Sequence, residues 1–449
     1  MNITRRRFIG KSGNALGATA AGLMIVPRHV LGRAGEASPS DKLNIAGIGF
    51  GGMGGSNLRE MQSENIVVLC DVDHKYAARQ FERYPKAKVY TDYRKMLETH
   101  KDIDAVMIAT PDHTHAVISM AAIKAGKHVY CQKPLTHDVY EARMLAKAAK
   151  EAGVTTQMGN QGHSKDGIRQ VCEWIWDGAI GDIREVDGWC DLSYYPWGHA
   201  GWSSRWGKLP EDTPAIPDSL DWDLWLGPAP ERPYHPAYHP AVWRCWWDFG
   251  CGMMGDRGAH TIDGAVWSLK LGAPTSIEAT SCGLNPDTHP LSAIVTYQFP
   301  KRGKMPPVQL RWYEGTRPPH PADIKEYIKW PSEGGLLFKG SKGMIVSDVY
   351  SDNPYLLPES LDKNYKRPAQ KIPRVTTSHE MNWVQACKTN QKACSDFSYT
   401  GPLTEICLLG NIAKRMDTRI MWDGDKMQAT NCPDANQYVR APYRKGWSL

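Results

Sequence analysis

The stretch between Leu43 and Asp71 limits the fold more than any other part of the sequence. It starts with a short apolar run, crosses a cluster of glycines, continues as a helix-compatible segment (56–61), and returns to an apolar run (66–69). This order predicts strand, turn, helix and strand, which is the first unit of a doubly wound parallel sheet. We therefore expect an α/β fold whose N-terminal part is built on such a sheet.

Three of these glycines, Gly47, Gly49 and Gly52, have the G-x-G-x-x-G spacing of a dinucleotide-binding turn. The first would make the turn, the second would let the backbone approach a pyrophosphate, and the third would let the helix pack on the strand. Asp71, 24 positions after Gly47, is placed to accept hydrogen bonds from the adenosine ribose, and its charge favours NAD over NADP. A plain glycine-rich turn is the alternative, and the strand–helix–strand context argues against it.

The same alternation of strands and helices continues to residue 160 and brings three more segments to one edge of the sheet. Residues 110–115, 132–133 and 159–163 each follow a predicted strand, and ligands of such sheets bind beyond the carboxyl ends of the strands. The predicted cofactor-binding residues are Gly47, Gly49, Phe50, Gly51, Gly52, Met53, Asp71, Thr110, Pro111, His115, Gln132, Lys133 and Asn160.

The first 40 residues are typical of an export signal. Arg5, Arg6 and Arg7 form a twin-arginine pattern, and the apolar run 15–26 suits a signal peptide of ~7–15 apolar residues. That run is short of the ~20 residues that span a bilayer, so no stable membrane insertion is expected. A chance basic N-terminus is the alternative. We expect twin-arginine export to the periplasm, a route that carries folded proteins and suits a cofactor loaded before export.

Charge and cysteines exclude other classes of protein. The net charge is +6, part of it from the N-terminal arginines, and no basic stripe indicates nucleic acid as a partner. The 11 cysteines are scattered without a C-x-x-C pair, which argues against a zinc knuckle or a dense disulfide framework.

The region after residue 163 predicts a second domain. Strand-like segments suit an open antiparallel sheet: 183–189, 276–281, 293–299, 308–313, 336–339 and 343–347. A helix is predicted over residues 402–416, with Pro402 at its first position, packing back toward the first domain. Residues 352–371 are interpreted as a surface excursion. The predicted divisions are 1–40 (signal), 41–160 (cofactor domain), 161–425 (substrate and oligomerisation domain) and 426–449 (C-terminal tail).

Residues 194–247 form an insertion rich in tryptophan. Its tryptophans are Trp197, Trp202, Trp206, Trp222, Trp225, Trp243, Trp246 and Trp247. Indole faces bind the C–H faces of sugars, although core packing explains buried tryptophans equally well. The predicted substrate-binding residues are Gln161, His163, Trp243 and Arg244. His235 and His239 lie in a Pro-rich run, and we interpret them as loop residues and not as metal ligands.

Five motifs together resemble the glucose–fructose oxidoreductase / inositol dehydrogenase (Gfo/Idh/MocA) family. They are GIGFGGMG, VVLCDVD, IATPDHTH, the lysine of YCQKPLTHDVYEARML, and GDRGAHTID. The resemblance implies a Rossmann domain followed by an open, mostly antiparallel sheet, and NAD as cofactor. It also implies that Lys133 contacts the nicotinamide ribose and the substrate. The family has Glu-Lys-Pro where this chain has Gln132, Lys133 and Pro134, so a negative charge beside Lys133 is lost.

The candidate catalytic residues are Lys133, Asp256 and His260. Asp256 and His260 are spaced i and i+4, which places both on one face of a predicted helix. An imidazole can take the alcohol proton during hydride transfer, and a carboxylate can orient it. By residue type alone, a helix cap and a structural histidine are the alternatives; the resemblance favours catalysis. Asp263 extends the same face, but no metal site is predicted.

Three interpretations of function compete. The first is an exported oxidoreductase that keeps its NAD and acts on sugars or glycosides in a redox-neutral cycle, including glycoside cleavage through a 3-keto intermediate. The second is an ordinary dehydrogenase that releases NADH. The third is a non-catalytic sugar-binding protein, against which the intact Lys133, Asp256 and His260 argue. A homo-oligomer formed through the C-terminal sheet is expected.

Overall fold

The computed structural model describes residues 41–193, 207–322 and 328–449. The predicted export signal lies outside these ranges, and so do Trp197, Trp202 and Trp206 of the insertion. Within them, no helix is both long and apolar enough to cross a bilayer.

Six parallel strands form the first sheet of the described part of the chain. They are β1 (Asn44–Ile48), β2 (Asn65–Cys70), β3 (Lys88–Tyr90), β4 (Ala105–Ile108), β5 (His128–Cys131) and β6 (Thr156–Met158). Their spatial order is β3-β2-β1-β4-β5-β6, so the direction of winding reverses between β1 and β4. Ligands of such sheets bind at this reversal.

The helices of this layer are α1 (Met53–Glu60), α2 (His74–Arg83), α3 (Tyr93–Thr99), α4 (His115–Lys124) and α5 (Val139–Ala152). Side chains cap the first turns of three of them: α2, α3 and α5. Asp73 accepts hydrogen bonds from the backbone of Lys75 and Tyr76, and Asp138 forms a reciprocal capping box with Glu141. The predicted Rossmann arrangement is confirmed.

The second sheet has nine strands within the described ranges. They are β7 (Ile183–Cys190), β8 (Ser276–Cys282), β9 (Ser292–Phe299), β10 (Val308–Glu314), β11 (Gly335–Gly340), β12 (Gly343–Asp348), β13 (Tyr355–Leu357), β14 (Ile420–Asp423) and β15 (Gln428–Ala429). Their order is β13-β12-β11-β7-β10-β9-β8-β14-β15, and only β7 and β10 pair in parallel. The predicted open, mostly antiparallel sheet is confirmed.

The remaining α-helices and one π-helix come after β6 in the sequence. They are α6 (Asp166–Asp177), α7 (Trp222–Leu226), a π-helix (Met254–Gly258), α8 (Ala259–Thr261), α9 (Asp263–Ser268), α10 (Glu359–Asn364), α11 (His379–Thr389) and α12 (Phe397–Met416). Among them, α11 packs on the first sheet. The interpretation of residues 352–371 as an excursion is wrong in part. Strand β13 and helix α10 both lie there, because β13 pairs with β12 and thereby extends the sheet.

Helix α12 joins the two sheets. It begins at Phe397, where Asp396 caps it, so the prediction that Pro402 occupies its first position is wrong. Pro402 lies in the helix interior and removes one hydrogen bond. Glu405 pairs with Arg143 of α5 at 2.7 Å, and the buried Lys414 pairs with Glu314 of β10 at 2.8 Å. The helix therefore holds the cofactor layer against the second sheet.

The C-terminal residues also pack on the cofactor layer. The hydroxyl of Tyr443 donates to Glu141 at 2.6 Å, and the backbone N–H of Ala441 donates to Asp138 at 3.1 Å. Arg444 pairs with Asp223 of α7. Residues 438–444 thus fasten α5 and α7 to each other.

Candidate active site

A cavity of about 400 Å³ lies where the winding of the first sheet reverses. Most of the predicted cofactor residues line it: Gly49, Phe50, Gly51, Gly52, Met53, Asp71, Thr110, Pro111, His115, Gln132 and Lys133. The other two predicted cofactor residues, Gly47 and Asn160, are not among the described residues that line the cavity. Asp256, Trp243 and Arg244 reach the cavity from the second half of the chain.

The tight turn after β1 is made by Gly49 and not by Gly47. Gly49 has φ = 74°, a conformation that favours glycine, whereas Gly47 lies inside β1. A Cβ on Gly47 would come within 3.1 Å of the Leu58 side chain, so this glycine serves the packing of α1 on the strand. The prediction that the motif consists of Gly47, Gly49 and Gly52 is therefore wrong by two residues, because β1 extends to Ile48 and the turn starts at Gly49.

The other two positions of the motif are Gly51 and Gly54. A Cβ on Gly54 would overlap the carbonyl oxygen of Gly49, so Gly54 is the glycine that lets α1 approach the turn. A Cβ on Gly51 would overlap the ring of Tyr76, which lies against the turn. Gly52, predicted to serve the close packing, has only the Tyr76 hydroxyl near its Cβ position, at 3.7 Å.

Asp71 occupies the position of a ribose-binding acid. It follows β2, lines the cavity, and accepts hydrogen bonds from the backbone of Phe50 and Asp73, both at 3.0 Å. Burial raises the pKa of Asp71 to about 6. No side chain caps the first turn of α1, so its backbone N–H groups are available to a pyrophosphate beside the turn. Turn, helix start and acid together fit NAD.

Lys133 and Asp256 meet at the other end of the cavity. The Lys133 ammonium is in direct contact with the Asp256 carboxylate and also donates to the Asp256 backbone carbonyl at 2.9 Å. Arg244 approaches the same carboxylate at 3.7 Å. His115 fixes this end, since its two ring nitrogens lie 2.8 Å from the carbonyls of Pro134 and Thr110. One carboxylate thus faces two cations at the cavity wall.

His260 is placed differently from the prediction. Asp256 lies in a π-helix. Its carboxylate was expected to orient the His260 imidazole, but it contacts the Lys133 ammonium. The His260 ring packs edge-on against Tyr350, and its Nδ1 is buried with no hydrogen-bond partner among the described residues. Burial and the positive charges of Lys133 and Arg257 hold the pKa of His260 well below its ordinary value. His260 is therefore a buried, neutral imidazole.

The polar residues after β6 form a separate buried network. The Asp263 carboxylate accepts hydrogen bonds from Asn160 at 2.9 Å, from His163 at 3.0 Å and from the hydroxyl of Tyr399. Asn160, Gln161 and His163 were predicted to bind cofactor or substrate, but within the described residues none of them lines the cavity. Three hydrogen-bond donors surround the Asp263 carboxylate, and these hydrogen bonds account for the burial of its charge.

The tryptophans of the insertion are mostly core residues. Trp222 stacks on Trp225 with ring centroids 4.6 Å apart, and the indole of Trp246 donates to the Ala237 carbonyl at 2.8 Å. Only Trp225 and Trp243 of the described tryptophans line the cavity, and both are buried. Among the residues that the structure describes, these two indoles are the ones placed to meet a sugar in the cavity.

Residues 219–244, here called the strap, contribute Leu224, Trp225, His239 and Arg244 to the wall of the cavity. His239 lies 2.8 Å from Asp73 through Nε2, and the Ser219 hydroxyl donates to Asp73 at 3.0 Å. The backbone N–H of Asp221 donates to the carbonyl of Val72 at 2.9 Å. As predicted from their Pro-rich run, His235 and His239 lie outside helices, and His239 pins the strap to the cofactor layer.

Sequence reasoning missed three residues of the site: Asp73, Tyr76 and Asp112. Asp112 lines the cavity inside the IATPDHTH motif and accepts a hydrogen bond from the backbone of Cys251 at 2.9 Å. Burial raises the pKa of Asp112 to about 7. Its position after β4 was a usable signal, whereas Asp73 and Tyr76 acquire their roles only through contacts with distant segments.

Comparisons with known proteins agree with this geometry. Residues 43–160 match the family described as "Oxidoreductase family, NAD-binding Rossmann fold" (Gfo/Idh/MocA), and residues 193–300 match the family's "C-terminal alpha/beta domain". The two matched ranges together cover just over half of the chain.

Two curated relatives and one solved structure are similar to the chain. Levoglucosan dehydrogenase of Pseudarthrobacter phenanthrenivorans is 31% identical over 121 residues, 27% of this chain and 31% of that protein. Inositol 2-dehydrogenase of Salmonella paratyphi B is 29% identical over 153 residues, 33% of this chain and 45% of that protein. The matches thus span less than half of either relative. The WlbA dehydrogenase of Bordetella pertussis in complex with NADH and UDP-GlcNAcA has a TM-score of 0.59 at 16% identity, covering 85% of this chain and 99% of that chain; this likeness concerns the fold.

Proposed function

Because the chain belongs to the Gfo/Idh/MocA oxidoreductase family, we propose that it oxidises a hydroxyl of a sugar or glycoside with NAD, keeps the cofactor between turnovers, and completes a redox-neutral cycle. The chemistry that NAD supplies when bound is to accept a hydride from the substrate carbon and return it. The residues described above carry out the binding and the proton transfer.

The observation that supports cofactor retention is the contact between the strap and the cofactor layer. Leu224, Trp225 and His239 of the strap line the cofactor cavity, and His239 contacts Asp73. We propose that a dinucleotide bound between the glycine turn and the strap is released only when this contact opens. Slow release would favour a cycle that returns the hydride to a sugar.

At the catalytic end, Lys133 lines the cavity beside Asp256, and we assign it the contact with the substrate hydroxyl. Asp256 holds the Lys133 ammonium in place, and Arg244 shares the carboxylate. Lys133 can give a proton to the Asp256 carboxylate that it contacts and take the hydroxyl proton in its place, so the proton leaves through this pair. His260 stays neutral beside them. The hydride leaves the carbon and the proton leaves the oxygen of the same alcohol group, so a ketone results.

The substrate class follows from the relatives and from the chemistry of a retained cofactor. Levoglucosan and inositol, named for two relatives, are a sugar derivative and a polyol. A ketone at sugar C3 acidifies the neighbouring C2–H, so that C2 loses its proton and C1 loses the anomeric substituent. Water then adds across the C1–C2 double bond, and the hydride returns to the ketone. Glycoside cleavage and transfer of the hydride to a second sugar are the two cycles that fit.

The test is to mix the purified, dialysed protein with free sugars and glycosides without adding NAD. We expect transient absorbance of reduced nicotinamide and many turnovers. Turnover that stops after one equivalent, and resumes only with free NAD, would replace this proposal with an ordinary NADH-releasing dehydrogenase.

Export belongs to the same proposal, since free NAD is scarce outside the cytoplasm and a retained cofactor removes the need for it. Replacing Arg5 and Arg6 by lysine should leave the protein in the cytoplasm, as measured by fractionation. Unchanged periplasmic recovery would remove export from the proposal, and an oligomer, checked by light scattering, is expected in either case.

A further inference from the structure

A buried chain of hydrogen bonds runs from the residue before Lys133 to a distant carboxylate. The side-chain amide of Gln132 donates to Asn57 Oδ1 at 3.0 Å, and Asn57 Nδ2 donates to Glu380 Oε1 at 2.7 Å. The hydroxyl of Tyr130 donates to the same Glu380 oxygen at 3.3 Å. These four side chains are each at most 6% exposed. The chain joins α1, the end of β5 and α11.

Each amide in this chain has one orientation that satisfies its partners. The Asn57 amide gives its donor to Glu380 and its acceptor to Gln132, so Gln132 must present its NH₂ group to Asn57. The Gln132 Oε1 then faces the backbone N–H of Lys133, at 3.4 Å. Gly159 leaves the room for this amide, since a Cβ there would lie 2.6 Å from Gln132 Nε2.

We propose that Glu380 supplies the single carboxylate of this network, that Gln132 is neutral for that reason, and that the network is a positioning device for Lys133. A carboxylate at position 132 would confront the Asn57 oxygen, or would turn the Asn57 amide so that its oxygen confronted Glu380. Two buried acids would then compete for one amide donor. In this chain the negative charge that contacts Asn57 therefore comes from α11.

The positioning role follows from where the network ends. Gln132 lines the cavity and is bonded to Lys133 along the backbone, while Asn57 belongs to the helix that starts at the glycine turn. The network therefore sets the distance between the cofactor turn and the Lys133–Asp256 pair. Group displacements of about 1 Å change rates by roughly 10²-fold.

The test compares three variants with the parent: Gln132→Glu, Glu380→Gln and the exchange Gln132→Glu/Glu380→Gln. The inference rests on the proposed function only for its rate readout, the single-turnover reduction of bound NAD at saturating sugar; NADH binding by fluorescence and thermal unfolding need no substrate. We expect Gln132→Glu to slow the turnover by roughly 10- to 100-fold, with NADH binding retained, and the exchange to recover most of the rate.

Two outcomes would overturn the inference. One is a Gln132→Glu variant as fast as the parent, and the other is an exchange variant as slow as Gln132→Glu although folded. If Gln132→Glu alone fails to fold, recovery of folding and rate in the exchange variant, with an intermediate rate in Glu380→Gln, gives the same decision. Absence of any sugar-driven reduction in the parent would instead refute the proposed function and leave the network to be judged from NADH binding and folding.

Discussion

Asp256 and Asp263 lie seven residues apart in one helical stretch, and both are buried, yet their surroundings give them different roles. Asp256 lines the cavity and contacts the Lys133 ammonium group, with an arginine nearby. Asp263 is enclosed by an amide, an imidazole and a phenol. The difference teaches that access to the cavity and the kind of partner, more than the place in a motif, decide which acid takes part in chemistry.

The largest effect is expected at the Asp256 end. Lys133→Met should lower the single-turnover rate of NAD reduction by roughly 10²–10⁴-fold, because the group that meets the substrate hydroxyl is lost. NADH binding should persist, since the glycine turn and Asp71 are untouched, and fluorescence titration checks this. A near-normal rate would move the proton transfer to His260, and His260→Ala is then the decisive variant.

The Asp263 end should respond in stability and not in rate. Asp263→Asn places an NH₂ group among three donors, so the free energy of unfolding should fall by about 1–3 kcal/mol. The rate of the folded enzyme should stay close to that of the parent. Asp256→Asn is the matched control, for which the rate should fall more than the stability. Denaturant unfolding and single-turnover kinetics measure both, and a slow but fully stable Asp263→Asn would erase the contrast between the two acids.

The strap offers a contrast at the cofactor end of the cavity. His239→Ala removes the buried contact with Asp73, and NADH should dissociate about tenfold faster, the factor that ~1.4 kcal/mol provides. His235→Ala is the control, because His235 is a buried histidine of the same strap that pairs with Asp212 within the insertion. Stopped-flow displacement of NADH measures both rates. Equal rates in the two variants would mean that His239 does not hold the strap closed.

The two sheets and the position of the cavity could be predicted from the sequence, because both depend on local patterns. Apolar strands and the glycine turn each act within a few residues, so the alternation of strands and helices up to residue 160 could be predicted. The glycine motif was placed two residues too early, because the last residues of a strand and the first residues of a turn have similar sequences where glycines are frequent.

What the sequence could not provide are partners brought together from far along the chain. Asn160 and His163 follow a strand of the first sheet as a ligand-binding residue would, but Asp263 and Tyr399 approach from later segments and occupy them. Likewise, the role of Asp73 depends on His239, and that of Gln132 on Glu380 through Asn57. Such roles depend on tertiary packing that no local pattern records.

The smallest expected effect concerns Asp71 and pH. Burial raises the pKa of Asp71 to about 6 in the free protein, and hydrogen bonds from ribose hydroxyls favour its charged form, so the pKa falls when NAD binds. Binding below pH 6 therefore releases a proton, and the affinity for NAD should weaken as pH falls, by up to about tenfold per pH unit. Above pH 6 this dependence should vanish.

Asp112, with a pKa of about 7, shares the cavity and can add a second step near pH 7. Titrations of Asp71→Asn separate the two, because this variant should bind NAD more weakly and lose only the step near pH 6. Identical pH profiles for parent and variant would show that Asp71 does not hold the ribose.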